Sequence, residues 1–464
     1  MKLVQGILKL KHFSYSVSRH YSNRNVLKLH ERGMYKDIFP DTASAEIVDL
    51  LNAKPQCVYA GFDPTADSLH IGNLLVIINL LHWQRSGHRV IVLVGGATGY
   101  IGDPSERTTD RPALSAEYIK RNVSGITENV EQLFKNHDTF LWKGQGHGDD
   151  GDLVPVTIVN NYTWYEKLNV LSFMGNIGRN FRMGTMLSRQ SVGSRIASET
   201  GMSFTEFTYQ IFQAYDWLYL LENYDCRFQI GGSDQMGNIV SGHDLISRVS
   251  NRKVYGLTVP LVTTETGNKF GKSEGNAVWL NREKTSPFEL YQFFIRSRDS
   301  EVENLLKLFT FYSTGKINEI MQQHKVKPEA RLAQKKLAEQ VTVLVHGESG
   351  LSSALQITTA LYDKGMDALS KMSAEDITQV FKEARMCELL LKPGMTIYQL
   401  ALEAGCFSTE NDAARIISAG GFYVNQQRCT NLSEVLTLGT HILLNNITLL
   451  RVGKRKYFVI KWKI

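Results

Sequence analysis

Two polar segments of the chain carry side chains suited to phosphate chemistry. In the first, residues 61–74, His70 and Gly72 stand immediately before an apolar, helix-forming stretch. The start of a helix presents free N–H groups and the positive end of its dipole, and both attract a triphosphate. A glycine there leaves space for a flat base against the backbone. A lone histidine at such a turn is more often a capping or surface residue, so this segment alone only suggests a nucleotide site.

The second segment lies far downstream and holds two lysines. Lys269 and Lys272 belong to the string KFGKS, which is flanked by Gly267 and Gly275. Two lysines on such a loop can close over charge that develops on phosphate oxygens during a reaction. Alone they would more often be solvated loop charges. The two segments together, in this order and in one chain, favour a nucleotide-using enzyme more than either does alone.

A helical stretch between these segments places polar side chains in line. Ser203, followed three residues later by Glu206, predicts a capping box at its start. Tyr209, Gln213 and Asp216 then recur at i, i+4 and i+7, so they lie on one face. A buried phenol, amide and carboxylate need a polar partner, and a substrate can supply it. Large apolar residues between them argue against a solvated surface stripe: Phe207, Ile211, Phe212 and Trp217.

The elements that would position these groups alternate along the first half of the chain. Short apolar runs bounded by glycine, proline or asparagine predict strands at 57–62, 89–94, 156–160, 227–230 and 258–262. Helical patterns lie between them at 73–85, 203–224 and 234–248. Apolar strands that alternate with helices predict an α/β fold with a doubly wound, mostly parallel, Rossmann-like sheet. In such sheets ligands bind beyond the carboxyl ends of the strands.

With 464 residues, the chain is too long for one ordinary domain. Strong helix formers dominate after Ser286, and short β-type runs return after Pro393-Gly394. We therefore predict four units: a leader at 1–21, a catalytic domain at 22–285 with an insertion at about 115–200, an α-helical domain at 286–385, and a small α+β domain at 390–464.

The first thirty residues have the composition of a mitochondrial transit peptide. They contain six lysines and arginines, four serines, and no aspartate or glutamate. This acid-poor pattern lacks the apolar core of a secretory signal. The string Arg19-His20-Tyr21-Ser22 predicts cleavage after Tyr21 and a location in the mitochondrial matrix. The alternative is a basic tail with no targeting role.

Composition argues against a membrane protein and a disulfide-rich scaffold. The apolar fraction of 43% and the charged fraction of 21% are those of a globular protein, and no apolar run is long enough to cross a bilayer. Five cysteines are scattered without a C-x-x-C motif, so we predict neither a disulfide framework nor a structural zinc site. They are Cys57, Cys226, Cys387, Cys406 and Cys429.

The two phosphate-type segments resemble the HIGH and KMSKS signatures of class I aminoacyl-tRNA synthetases. The surrounding strings are similar to the bacterial and mitochondrial type of tyrosyl-tRNA synthetase, and the similarity extends from about residue 27 to the C-terminus. They are 59–74, 97–105 (ATGYIGDPS), 203–216 (SFTEFTYQIFQAYD) and 229–238 (QIGGSDQMGN). The resemblance implies that the chain activates L-tyrosine with ATP and transfers it to tRNA(Tyr) in mitochondrial translation.

The resemblance also implies which residues bind each substrate. Tyr59 and Asp216 would bond the tyrosine phenol. The rest of the tyrosine site would be Asp103, Tyr209 and Gln213 at the ammonium group, with Gln229 and Gln235 near the carboxylate. The ATP site would consist of Gly61, Asp63, Thr65, His70, Gly72, Asn73, Gly232, Asp234, Phe270 and Lys272. The groups that act on the phosphates would be Thr65, His70, Asn73, Arg107, Arg111, Lys269 and Lys272.

The implied reaction is attack of the tyrosine carboxylate on the α-phosphorus of ATP. Because the nucleophile is already an anion, no general base is expected, and catalysis rests on positioning and on stabilising charge on the leaving pyrophosphate. Mg²⁺ would accompany ATP, and no protein-bound metal is predicted. Asn73 departs from the signature, which usually has a second histidine there. Its amide can replace one ring N–H bond, so we expect activity to survive.

The C-terminal residues resemble a small RNA-binding module. From residue 391 onward there are nine lysines and arginines against four aspartates and glutamates, which fits contacts to tRNA phosphates. The resemblance assigns tRNA binding to 286–385 as well and implies a homodimer with Phe204 near its two-fold axis. Three alternatives are a tryptophanyl-tRNA synthetase, a nucleotidylyltransferase, and a protein that chiefly binds structured RNA.

Overall fold

The computed structural model describes residues 24–105, 109, 114–145, 152–262, 270–273, 276–362, 385–407, 409–453 and 456–463. The predicted leader at 1–21 lies outside the described residues. The described residues contain a six-stranded sheet, a five-stranded sheet and a two-stranded hairpin.

A six-stranded sheet forms the centre of the first half. Its strands are β1 (Asp37–Phe39), β2 (Cys57–Phe62), β3 (Arg89–Val94), β4 (Thr157–Asn160), β5 (Phe228–Gly232) and β6 (Tyr255–Val259). The spatial order is β1-β6-β5-β2-β3-β4, and every pair is parallel except β1 with β6. The order reverses between β2 and β5, which opens a crevice at their carboxyl ends. The predicted doubly wound, mostly parallel sheet is confirmed.

This sheet differs from the prediction in its edge strand β1 and in the bounds of β4, β5 and β6; β4 and β5 each begin one residue later than predicted, and β5 ends two residues later. The antiparallel edge strand β1 was not expected, because three residues are too few for an alternating pattern to emerge. The last strand begins at Tyr255 and ends at Val259, three residues earlier than predicted at both ends. Pro260 follows directly, and a proline has no N–H with which to continue a ladder.

Helices cover both faces of the sheet. They are α1 (Ser44–Ala53), α2 (Ile71–Arg85), α3 (Thr98–Ile101), α4 (Ala116–Asn136), α5 (Tyr162–Tyr165), α6 (Val170–Ser172), α7 (Met183–Leu187), α8 (Gln190–Ile196), α9 (Phe204–Tyr224) and α10 (Met236–Ser250). Shorter 3₁₀ or π turns lie at Val26–Arg32, Asp41–Ala43, His137–Trp142, Lys143–Gln145, Phe173–Ile177, Gly178–Asn180, Ser233–Gln235 and Pro328–Ala330. Helix α2 is buried almost all round, which explains its nearly unbroken apolar sequence.

A short hairpin of β7 (Lys272–Ser273) and β8 (Asn276–Ala277) precedes a run of four helices. These are α11 (Pro287–Ile295), α12 (Asp299–Phe309), α13 (Thr314–Val326) and α14 (Leu332–Tyr362). Ser286 caps α11, with Glu289 completing a capping box and Pro287 in the first turn. The helices share one apolar core with α2 and the sheet, so they extend the core of the first half of the chain. The predicted helical character is observed as far as Tyr362.

The C-terminal residues build a second sheet with its own core. Its elements are β9 (Arg385–Leu390), α15 (Ile397–Glu403), α16 (Glu410–Ser418), β10 (Phe422–Val424), β11 (Gln427–Cys429), β12 (Ile447–Val452) and β13 (Lys456–Lys463). Strand order is β11-β10-β12-β13-β9, antiparallel except for β13 with β9. The two helices pack on it through Leu400 and Ile417. No helix in the described part of the chain is long and apolar enough to cross a bilayer.

Candidate active site

A cleft of about 1030 Å³ opens at the carboxyl ends of the parallel strands. Sixteen of the predicted site residues line it: Tyr59, Gly61, Asp63, Thr65, His70, Gly72, Asn73, Asp103, Tyr209, Gln213, Asp216, Gln229, Gly232, Asp234, Gln235 and Phe270. Three others, Arg107, Arg111 and Lys269, lie outside the described residues. Lys272 is described only by its backbone, which belongs to β7.

One end of the cleft is closed by a buried carboxylate. Asp216, on α9, is 1% exposed and accepts hydrogen bonds from Asn161 Nδ2 and Trp164 Nε1, each at 3.0 Å. Burial raises the pKa of Asp216 to about 7, although these hydrogen bonds favour its ionised form. Two donors therefore hold the carboxylate in one orientation in a desolvated setting.

A buried phenol, that of Tyr59, also lines this end of the cleft. Tyr59, on β2, is also 1% exposed, and its hydroxyl has no hydrogen-bond partner among the described residues. Burial, followed by the charge of Asp216, raises the pKa of Tyr59 well above its usual range. A buried hydroxyl without a partner is costly, so the position suits a ligand that brings a hydrogen-bonding group.

The middle of the cleft holds three carboxylates. Asp63 accepts from the Tyr209 hydroxyl at 2.9 Å and from the Thr98 hydroxyl at 2.6 Å. Asp103 and Asp234 both accept from Gln235 Nε2, at 2.8 and 3.0 Å. A concentration of negative charge in a crevice attracts a cationic group such as an ammonium.

The bond between Tyr209 and Asp63 joins residues that were predicted to serve different substrates. Tyr209 was expected at the tyrosine ammonium group and Asp63 at the nucleotide. Burial, followed by the charge of Asp63, raises the pKa of Tyr209 well above its usual range. The phenol therefore stays protonated and donates. The two predicted subsites meet at this hydrogen bond.

At the opposite end, the start of α2 forms a polar rim. His70 is the N-cap residue, and its Nδ1 accepts from Gly72 N at 3.1 Å. Asn73 Oδ1 accepts from His70 N at 3.1 Å, which completes a capping box. The carbonyl oxygen of Asn73 is thus used within the protein, and its amide N–H₂ is the part that can meet a ligand.

The reason for a glycine at position 72 differs from the one inferred from sequence. A Cβ atom there would lie 2.9 Å from Cε1 of the His70 ring, closer than carbon atoms approach without displacement. Gly72 therefore makes room for the imidazole directly. The expectation of space for a base is not needed to explain the residue.

The start of α9 also departs from expectation. Ser203 Oγ accepts from Glu206 N at 3.2 Å, as a capping box requires. The Glu206 carboxylate, however, accepts from Arg195 Nε at 2.9 Å, and both side chains are buried. The predicted capping box is wrong in its second half, because a buried guanidinium from α8 competes for the carboxylate.

Phe270, predicted at the ATP site, reaches the cleft from one side of an aromatic cluster. Its ring centroid lies 4.9 Å from that of Phe293 and 5.8 Å from that of Phe309. Phe270, which stands between Lys269 and Lys272 in the sequence, therefore packs against the apolar core and also lines the cleft.

Three polar residues of the site were missed in the sequence. Asn161 and Trp164 follow β4 and hold Asp216, while Thr98 bridges Asp63 and Asn161, whose Nδ2 donates to the threonine hydroxyl at 3.1 Å. The available signal was the polar string Asn160-Asn161-Tyr162 directly after a predicted parallel strand. Such positions meet at one edge of the sheet. Among the described residues, no group of three or more histidines, cysteines, aspartates and glutamates could hold a metal ion.

Comparisons with known proteins agree with this geometry. Residues 51–363 match the family model described as tRNA synthetases class I (W and Y), and residues 376–460 match a tyrosine–tRNA ligase SYY-like C-terminal domain. The mitochondrial tyrosine–tRNA ligase of Drosophila melanogaster is 55% identical over 464 residues, covering 100% of this chain and 98% of the relative. The human mitochondrial enzyme is 48% identical over 436 residues, covering 93% and 90%.

Solved structures show the same relationship. A C-terminally truncated mitochondrial tyrosyl-tRNA synthetase of Aspergillus nidulans superposes with a TM-score of 0.66 at 34% sequence identity. The match covers 73% of this chain and 94% of that one.

Proposed function

The chain belongs to the class I tyrosyl-tRNA synthetases, and from this premise we propose how its cleft is divided between substrates. The family uses ATP to join tyrosine to tRNA, so the chain is a tyrosine–tRNA ligase. The tyrosine side chain binds between Asp216 and Tyr59, its ammonium group binds beside the three carboxylates, and ATP lies towards His70. Mg²⁺ enters with ATP as part of the substrate.

The observation that carries the proposal is the pair of buried polar groups at the closed end. Asp216 is held by Asn161 and Trp164, and the Tyr59 hydroxyl has no partner among the described residues. A substrate phenol satisfies both. Phenylalanine would leave them unpaired in a desolvated pocket, which is the established basis of tyrosine selection in this family. A tryptophan indole has no hydroxyl to offer them.

We propose that adenylate formation uses no general base. The tyrosine carboxylate attacks the α-phosphorus, the bond to the bridging oxygen breaks, and pyrophosphate leaves with the negative charge. Gln229 and Gln235 orient the carboxylate from the β5 side. Thr65, His70 and the Asn73 amide stabilise charge on the terminal phosphates, together with Lys269 and Lys272. Arg107 and Arg111 are proposed to act on the same phosphates.

The test is isotope exchange between pyrophosphate and ATP. We expect exchange to depend on tyrosine and to be absent with tryptophan or phenylalanine at matched concentration. Asp216→Ala is the control that removes the phenol contact. A well-folded sample without tyrosine-dependent exchange would overturn the assignment of the site. Exchange that depends on tryptophan would instead indicate a tryptophan-activating site.

We further propose that the enzyme acts as a homodimer. Phe204 is 73% exposed, and the segment of the chain that precedes it carries further exposed large apolar side chains: Tyr162, Val170, Leu171, Met174, Met183, Leu187 and Ile196. Exposed apolar side chains that gather into one patch mark a protein interface. Equilibrium sedimentation at micromolar concentration should give twice the monomer mass, and Phe204→Asp should lower it. A monomeric wild-type protein would remove this proposal.

We propose that the chain is imported into the mitochondrial matrix and is cleaved after Tyr21. Val26 and Tyr35 belong to the core, and Tyr35 accepts a hydrogen bond from Trp83 Nε1 at 3.0 Å. The Arg24 carbonyl accepts from the buried His88 ring at 2.8 Å. Cleavage after Tyr21 leaves all of these contacts in place. Import into isolated mitochondria followed by N-terminal mass spectrometry tests this, and a mature chain that lacks Arg24 would contradict it.

The C-terminal sheet is proposed to contact tRNA through phosphates. Arg451 lies over the Tyr423 ring at 4.0 Å, which holds its cation on the sheet surface. Lys454 and Arg455, two of the nine lysines and arginines counted from residue 391 onward, lie outside the described residues. Truncation after residue 384 should abolish aminoacylation while tyrosine-dependent pyrophosphate exchange continues, because the residues that line the adenylation cleft lie between Tyr59 and Phe309. Loss of both activities together would contradict this division.

A further inference from the structure

The residues that directly follow the β7–β8 hairpin are hydrogen-bonded to the loop that carries His70. Ile71 N donates to Val278 O at 2.9 Å, and Leu280 N donates to Leu69 O at 2.9 Å. On its other edge, Val278 N donates to Gly271 O at 2.9 Å. One short extended segment therefore joins the two phosphate-type motifs, which stand about 200 residues apart in sequence.

Trp279 is the central residue of that segment. It forms an antiparallel bridge with His70, and the indole and imidazole centroids are 6.3 Å apart at 60°. Its backbone N–H donates to Thr285 Oγ1 at 2.9 Å. The indole lines the cleft beside His70.

A cation lies over the Trp279 indole. Lys284 Nζ is 4.8 Å from the centroid of the Trp279 ring, and the same ammonium group pairs with Asp67. Asp67 precedes His70 by three residues, so this ion pair closes a loop of contacts back to the histidine segment. The indole is thereby held from its backbone and from Lys284.

We propose that Trp279 is a positioning residue for adenylate formation. It fixes the His70 imidazole and couples it to the hairpin that carries Lys272. The inference rests on the phosphate-binding role proposed above for His70. A ring that can rotate away from the phosphates loses much of its contribution, because transition-state charge is stabilised only by donors already in place. Tyrosine binding occurs at the other end of the cleft and does not depend on this contact.

The experiment is a double-mutant cycle with Trp279→Leu and His70→Ala, read by pyrophosphate exchange. We expect Trp279→Leu to lower kcat about 10- to 30-fold while KM for tyrosine changes less than about twofold. In the His70→Ala background the same substitution should cost less than about twofold, since the group that it positions is gone. Trp279→Phe keeps a flat ring and should recover most of the loss.

Lys284→Met is a second variant that tests the same proposal and leaves the indole in place. We expect it to lower kcat less than Trp279→Leu does, and this loss should also vanish in the His70→Ala background. It replaces Trp279→Leu in the cycle if that variant fails to fold. Equal losses in both backgrounds would overturn the proposal for Trp279 alone, as would a matching rise in KM for tyrosine. If His70→Ala itself leaves exchange unchanged, both this inference and the phosphate role of His70 are overturned.

Discussion

At the closed end of the cleft, buried side chains orient Asp216, whereas at the end formed by His70 and Gly72 backbone groups orient His70. We call this second end the phosphate end, after the role proposed for it. Asp216 is oriented by an amide and an indole, both buried. His70 is oriented by Gly72 N and by a backbone bridge to Trp279. The closed end is 1% exposed at Asp216, while Gly72 at the other end is open to solvent.

The difference matches what each end must recognise. A hydroxyl is distinguished from a hydrogen atom only where an unpaired polar group would be costly, and this requires burial. A polyphosphate is recognised by charge and needs an open approach for Mg²⁺ and water. Substitutions should therefore act on tyrosine selection at one end and on kcat at the other.

The largest effect is expected from Asp216→Ala. The substitution removes the phenol acceptor and leaves the Asn161 and Trp164 donors buried without their partner. We expect kcat/KM for tyrosine in pyrophosphate exchange to fall about 10³-fold, or ~4 kcal/mol. Asp216→Asn keeps the shape and one acceptor and should lose less. Equal kinetic losses for the two variants would mean that the shape and the single acceptor kept by asparagine contribute nothing, and that the carboxylate charge governs the closed end.

A smaller loss should follow from Trp164→Phe. The ring remains stacked on Tyr219, whose centroid is 4.3 Å away, but the bond to Asp216 is removed. One hydrogen bond to a buried carboxylate contributes about 1.5 kcal/mol, so kcat/KM for tyrosine should fall about tenfold. KM for ATP should not change. A parallel rise in KM for ATP would show that the two ends are not separable.

The pH dependence of tyrosine binding should come from the closed end. The folded pKa of Asp216, about 7, lies above its unfolded value, so the folded carboxyl holds a proton through the interval between them. Its contribution to stability is therefore present at low pH and is lost as pH rises towards 7. A phenol that donates to the carboxylate favours the ionised form, so binding releases a proton. Below pH 7, affinity for tyrosine should fall by up to about tenfold per pH unit.

Calorimetric titration with tyrosine in two buffers of different ionisation enthalpy measures the number of protons released on binding. Trp164→Phe should move the midpoint to higher pH, since a donor that favours the anion is lost. An affinity for tyrosine that is constant from pH 5 to pH 8 would contradict the prediction that Asp216 carries a proton in the unliganded enzyme below pH 7.

The same contrast explains what the sequence could and could not predict. Strands β2 and β3 were predicted with their observed bounds, because short runs rich in β-branched and aromatic residues between turn residues are typical of strands. The polar face of α9 followed from helical spacing alone. Asn161 and Trp164 could not be assigned in this way, because their role depends on which strand end lies beside α9. The second half of the capping box at Glu206 was predicted wrongly because its partner, Arg195, lies on α8, a helix of 7 residues that is too short to show a clear period.

The smallest effect is expected at the phosphate end, from Asn73→His. Asn73 Oδ1 accepts from the His70 backbone N–H, and its N–H₂ is the group that we propose for the phosphates. A histidine can do both only if one ring nitrogen accepts from His70 N while the other donates. Each residue then supplies one donor, so kcat for pyrophosphate exchange should change less than about threefold.

What should change with Asn73→His is the pH profile. Protonation of the new ring near its usual pKa of about 6.5 would remove the capping acceptor and add a cation beside the phosphates. The variant should therefore gain a pH dependence of kcat below pH 7 that the wild-type amide does not contribute. A large gain in kcat at pH 8, where the ring is neutral, would mean that asparagine fits this position poorly. In that case the phosphate end would be suboptimal, and the backbone ladder through Trp279 would have to carry more of the positioning.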